Sequence, residues 1–92
     1  MEFQYENNRI YLENGEGKLI AEVTFPTIKD QLVNINHTFV DDSLRGQGIA
    51  GKLMEAVAEK LVKENQKAVL TCSYAVRWFE KNTQYEDIIS KE

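Results

Sequence analysis

Near the middle of the chain the apolar spacing changes from two residues to nearly four. The stretch at the change, LRGQGIAGKL (44–53), holds three glycines in ten positions. On its N-terminal side, LVNINHTFV (32–40) alternates, with Val33, Ile35, His37 and Phe39 on one face and Asn34, Asn36, Thr38 and Val40 on the other. That pattern predicts one strand with one buried face. On its C-terminal side, Ile49, Leu53, Val57 and Leu61 recur every fourth residue, with Ala50, Met54 and Ala58 widening the stripe. Residues 48–64 are therefore predicted to form an amphipathic helix about 24 Å long at 1.5 Å per residue, with Asn65 as its left-handed stop.

The remaining segments fill in around that junction. RIYLE (9–13) and KLIAEVTF (18–25) flank NGEG, a turn rich in residues that tolerate positive φ, and predict a hairpin; FQYE before Asn7 and Asn8 predicts an earlier strand. Pro26 cannot donate to a ladder, so PTIKDQ is expected to be a loop. KAVLTCSY (67–74) has the length and apolar content of a strand. AVRWFEKN (75–82) returns to helical spacing through Ala75, Trp78 and Phe79, and TQYEDIISKE adds a turn of helix around residues 85–89. The expected fold is mixed α/β (α+β). An antiparallel meander is followed by a strand-helix-strand unit with a parallel crossover and a short C-terminal helix, over residues 1–92 as one domain.

Composition limits the function. With 42% hydrophobic and 28% charged residues the chain reads as globular. No stretch approaches the ~20 apolar residues of a membrane span, and MEFQYENNR lacks the blocks of a signal peptide, so a cytoplasmic location is expected. One cysteine and one histidine leave no disulfide framework and too few classical ligands for zinc, so no metal site is expected. A net charge of −4 argues against nucleic-acid binding, which needs clustered positive charge. A single anionic cofactor remains compatible, because backbone amides and one or two cations suffice to hold it.

RGQGIAG is such a place. Between a strand end and a helix start, unpaired N–H groups and the positive end of the helix dipole converge, and glycines let a bulky anion approach the backbone. The spacing is neither GxxxxGK[ST] nor a full GxGxxG. The residues alone leave two readings open: an anion site, or a tight strand-to-helix turn whose glycines only relieve sterics.

Arg45-Gly46-Gln47-Gly48-Ile49-Ala50 fits the R/Q-x-x-G-x-G/A signature of the GNAT superfamily of acyl-CoA-dependent N-acetyltransferases, here after a strand ending in Phe39-Val40-Asp41. The chain resembles that family over nearly its whole length, and LTCSYAVRWFEKN resembles its minimal, cysteine-containing branch. The resemblance implies that the amides of Arg45, Gly46, Gln47, Gly48, Ile49 and Ala50 hold the pyrophosphate of acetyl-CoA. It also implies that Phe39 and Val40 make main-chain contacts to the pantetheine arm, and that the acceptor is an amine of unidentified structure. Two departures accompany it. In the family's A-x-x-x-Y-E-K stretch, here Ala75 to Lys81, the tyrosine that protonates the leaving thiolate is replaced by Phe79. The sequence also stops before the family's last strands, so the acceptor site is expected to be either very open or completed by a protein partner or a second copy.

The chemistry then turns on Cys72, expected at the end of the last core strand. A thiolate there could take the acetyl group, thioester for thioester, and pass it to the amine; the competing reading is a small buried apolar side chain. His37, on the alternating apolar face, is expected to be in the core or half-buried, and its near-neutral pKa also makes it a candidate base. Tyr74 is a candidate proton donor, or a residue that packs or caps the next helix. Trp78 and Phe79 are expected in the core, Asp41 and Asp42 as solvated turn residues, Lys52 as exposed or reaching an outer phosphate, and Asn82 and Tyr85 beside the site. Two further functions stay open: a non-catalytic CoA-binding or protein-interaction module, and a thiol redox sensor.

Overall fold

The structure, a computed structural model, describes residues 2–90; Met1, Lys91 and Glu92 lie outside it, and with them the last two residues of the predicted tail. Strands β1 (Gln4–Glu6), β2 (Arg9–Glu13) and β3 (Leu19–Thr24) form an antiparallel meander. The β2–β3 turn is fixed by Asn14, whose Oδ1 accepts from the N–H groups of Glu16 at 2.8 Å and Lys18 at 3.0 Å, while Gly17 takes a φ of 82°. That is the local chemistry by which asparagine and glycine select a turn.

PTIKDQ, expected as a loop, contains a strand instead. β4 (Thr27–Lys29) pairs antiparallel with β5 (Leu32–Ile35), and the reversal between them is made by Gln31, at a φ of 58°. Pro26 sits just before β4, where no ladder donor is needed, so it starts the strand rather than preventing one.

The predicted strand 32–40 is two strands in two sheets. β5 joins a sheet ordered β4-β5-β7, whereas β6 (His37–Val40) pairs with β3 in a sheet ordered β1-β2-β3-β6. Asn36 separates them. Its N–H donates to the Thr24 carbonyl at 3.2 Å, although Thr24 is also the ladder partner of His37, so two residues of one strand oppose one of the other. This is a β-bulge, and it moves every later side chain to the other face. Val33 and Ile35 are buried, but beyond Asn36 it is Thr38 and Val40 that turn inward, opposite Val23 and Ala21, while His37 and Phe39 point outward and are exposed. The shared face expected for Val33, Ile35, His37 and Phe39 is thus broken at the bulge, and His37 is neither in the core nor half-buried.

α1 (Ile49–Lys63) begins at Gly48 and buries Ile49, Leu53, Met54, Val57, Ala58 and Leu61. It ends as predicted at Asn65, at a φ of 57°, with Gln66 N–H donating to the Leu61 carbonyl at 2.8 Å and Asn65 N–H to that of Val62 at 3.2 Å. β7 (Lys67–Leu70) then runs parallel to β5, the expected crossover. The segment 67–74 leaves strand geometry early, because α2 (Ser73–Lys81) starts with Cys72 as its N-cap residue. After a 3-10 turn over Thr83–Ile88, Ile89 bridges Ala68 in parallel. The core joins both sheets to α1, with Ile10, Leu12, Val23, Phe25, Val33, Ile35, Leu53, Met54, Val57 and Leu61 among its fully buried side chains.

Candidate functional site

The bulge and the early start of α2 together open a gap. The β5–β7 ladder ends where the N–H groups of Thr71 and Cys72 both donate to the Ile35 carbonyl, each at 3.2 Å. Beyond that point β6 follows β3 while the other chain turns into α2, so the two sheets part. Asp41 N–H donates to the Ile20 carbonyl at 2.8 Å, which fixes the phase of the β3–β6 ladder. By antiparallel alternation Phe39 directs its main-chain groups toward Glu22, and Thr38 and Val40 direct theirs into the gap.

One side-chain pair spans the gap: the Thr38 hydroxyl lies 3.5 Å from the Cys72 sulfur. Cys72 is half-buried at the head of α2 and makes no cap hydrogen bond of ordinary geometry. Its burial pushes the thiol pKa up, but the Thr38 hydroxyl and the nearby N–H groups of Ala75, Tyr74 and Thr38 outweigh it, and the thiol lies below its ordinary value. Donors converging at a helix N-terminus are the environment that stabilises a thiolate.

The glycine loop closes one end of the gap. Asp41 caps a short 3-10 turn (Asp42–Leu44) by accepting from Ser43 N–H at 3.0 Å; the hydrogen bonds from Ser43 hold its carboxyl below the ordinary range. Buried Leu44 anchors the turn, and Gly46 and Gly48 follow at φ of 84° and 69°. A Cβ at either glycine would meet nothing within 4 Å, so both are required by backbone conformation and not by crowding. The N–H of Arg45 donates to Asp42 O at 3.1 Å and that of Gln47 to Leu44 O at 3.3 Å. Gly48 has no side chain with which to cap, so the first-turn amides of α1, including Ile49 and Ala50, have neither an intrahelical nor a capping acceptor. The Arg45 side chain is exposed and pairs with Asp42 at 2.7 Å.

The other predicted residues divide. Tyr74 is brought to the loop: its hydroxyl and the Trp78 indole nitrogen lie 3.7 and 3.6 Å from where a Cβ on Gly51 would stand. His37 is not brought to Cys72. Its Nε2 lies 3.9 Å from Glu22 Oε1 on the outer face of the sheet, where Glu22 also binds Arg9 Nε at 2.5 Å. Phe79 is buried and Trp78 half-buried, in edge-to-face contact at 4.9 Å. Tyr85 stacks on Trp78 and donates to Glu59, which pushes its hydroxyl up to about 12. Asn82 donates to the Trp78 carbonyl at 2.7 Å, and Lys52 is exposed. Thr38 and Glu22 are the residues sequence reasoning missed. Both sit at polar positions of alternating strands, and only the bulge aims Thr38 at the thiol. Among the described residues no group of three or more His, Cys, Asp and Glu could hold a metal ion, and no helix is long and apolar enough to cross a membrane.

Two sheets parting beside a glycine-rich helix start define a GNAT-like fold, and comparison with known proteins agrees. The family model described as GCN5-related N-acetyl-transferase matches residues 9–88, and the chain belongs to that family. It is 36% identical to Protein NATD1 of Gallus gallus and of Mus musculus, in each case over 62 residues covering 67% of this chain and 56% of that protein. The alignment thus spans little more than half the length of these curated relatives. The solution structure of a GCN5-like protein from Staphylococcus aureus is 35% identical with a TM-score of 0.79, covering 97% of this chain and 87% of that one. An acetyltransferase of the GNAT family from Staphylococcus aureus Mu50, at 16% identity and a TM-score of 0.63 over 80% of this chain and 50% of its own, shares the fold.

Proposed function

We propose that this chain, as one minimal domain, is an acetyl-CoA-dependent N-acetyltransferase acting on an amine. The observation that carries the reading is the gap between β6 and the head of α2, with uncapped first-turn amides at one end and a thiol of lowered pKa against its wall. The pyrophosphate of CoA takes the amides of Gly48, Ile49 and Ala50, with the Gln47 amide freed from Leu44 or left in the turn, and the exposed Arg45 swings from Asp42 to an outer phosphate. The pantetheine arm lies along β6 and meets the main-chain groups of Thr38 and Val40.

The same arrangement supports acetyl transfer through Cys72. The Cys72 thiolate attacks the acetyl carbonyl carbon, a new C–S bond forms as the bond to CoA sulfur breaks, and CoA leaves as a thiolate that a proton neutralises. An amine then attacks the acyl-cysteine, loses a proton, and returns the cysteine. Tyr74, beside the loop, is the proton donor favoured by position; His37, with Glu22, lies on the outer face, from which an amine can approach. A location in the cytoplasm fits this chemistry, since the thiol must stay reduced.

The second reading is a CoA-binding module without turnover. It is favoured by Phe79, which is buried and has no proton to give where the family's tyrosine stands. Intact-protein mass spectrometry after incubation with acetyl-CoA, beside calorimetric titration of CoA, separates the two. A single acetyl adduct, absent in Cys72→Ser and released by hydroxylamine, is the expected result. CoA binding with no adduct and no transfer to any amine supports the silent module, and absence of binding overturns both.

A further inference from the structure

A groove runs between β1 and α1. Its largest part, about 490 Å3, sets Tyr5 and Glu6 against Ala56, Glu59 and Lys60. The adjoining part sets Phe3 and Tyr5 against Lys52, Glu55 and Ala56, so β1 and α1 run side by side in the same direction, with Tyr5 level with Ala56 and Glu59. Along this groove β1 is a free edge of its sheet. Of the other edges, β6 lines the gap of the candidate site, β7 is bridged by Ile89 at Ala68, and β4 follows Pro26 and carries Lys29 and a register irregularity. Proline, lysine and register irregularities discourage strand addition, and β1, though three residues long, has none of the three. Glu6 and Arg9 flank a two-residue turn and pair with each other, so by alternation Tyr5 directs its N–H and C=O outward. Tyr5 is 58% exposed.

We propose that β1 pairs antiparallel with β1 of a second copy of this chain, about a two-fold axis at Tyr5. Pairing about that residue sets the two Tyr5 rings side by side over the groove and places Gln4, a donor, opposite Glu6 of the partner subunit, an acceptor. The same axis acts on α1. Because Tyr5 is level with residues 56–59, the operator brings the N-terminal half of α1 opposite the C-terminal half of its partner. Glu55 then faces Lys63 of the partner subunit. That pair sets opposite charges across the same centre that strand pairing selects. Glu59, nearest the axis, is turned to the Tyr85 hydroxyl and keeps its charge, and Lys60 and Glu64 are paired with each other at 2.5 Å, so Glu55 and Lys63 carry the charge complementarity. The aromatic pair supplies the apolar area, and the charges fix the register.

The pairing residues are not those of the gap, so the proposal stands apart from acetyl transfer. Sedimentation velocity of the full chain from micromolar to millimolar concentration tests it. The expected result is a concentration-dependent dimer. Tyr5→Lys weakens its association by at least about tenfold without lowering the unfolding temperature, since Tyr5 is exposed in the single chain. Glu55→Lys also weakens it, and the double variant Glu55→Lys with Lys63→Glu restores it. A chain that stays monomeric throughout overturns the second-copy assignment and leaves this edge to an extended segment of another protein. A dimer indifferent to Tyr5→Lys and to the charge swap overturns the location.

Discussion

Cys72 gathers its properties from three places: the end of β7, the head of α2, and Thr38 across the gap. The Thr38 hydroxyl and the amides of the first turn of α2 favour the thiolate over the cost of partial burial. Only the thiolate reacts with iodoacetamide, so the pH midpoint of alkylation should lie below that of a free cysteine. Thr38→Val removes a donor while keeping the shape, and it should move the midpoint upward; Thr38→Ser should leave it in place. Stopped-time alkylation read by mass checks both, and an unmoved midpoint in Thr38→Val removes Thr38 from this role. At this scale the sequence was informative about identity and silent about environment. It singled out Cys72 as the one thiol, but nothing in the alternation of residues 32–40 distinguishes Thr38, facing a sulfur, from His37, facing water.

At the scale of elements, the loop and α1 act as one unit. Gly48 is N-cap and left-handed, so a branched side chain there meets backbone strain and not a neighbour. Gly48→Val should destabilise the fold by about 1–2 kcal/mol and, by placing methyl groups beside the open amides, weaken CoA binding well beyond tenfold. Gly15→Ala, at a turn where a Cβ meets nothing and φ is not positive, is the matched control and should alter neither quantity. Urea denaturation and calorimetric titration measure the two effects separately. If Gly48→Val retains wild-type affinity, the loop is only a turn. Helix α1 and its Asn65 stop were legible because both depend on local spacing and a local φ preference. β4 and the bulge were not legible. Pro26 is compatible with either a loop or an edge strand, and beyond Asn36 the two phases, His37 with Phe39 and Thr38 with Val40, are too alike in apolar character to show that a bulge has exchanged them.

For the whole molecule, Phe25 ties the two sheets together. It lies between β3 and β4, is fully buried, and is fixed on both sides of its peptide: its N–H donates to the Asn8 carbonyl at 2.9 Å, and its carbonyl accepts from Asn8 Nδ2 at 2.8 Å. Phe25→Ala should cost about 3–5 kcal/mol, a large part of the stability of a domain this small, and should lower the denaturant midpoint in one cooperative step. A change under about 1 kcal/mol would mean the junction is not part of the shared core. The sequence by itself determined what rests on neighbours along the chain: the hairpin at Asn14, the amphipathic face of α1, its glycine start and asparagine stop, and through these the parallel crossover. The tertiary structure alone decided where one strand divides between two sheets. That depends on a ladder formed with Thr24, 12 residues away from Asn36, and on the competing pull of the β5–β7 pairing. The gap beside Cys72 is the consequence of that division, and no local preference of its residues encodes it.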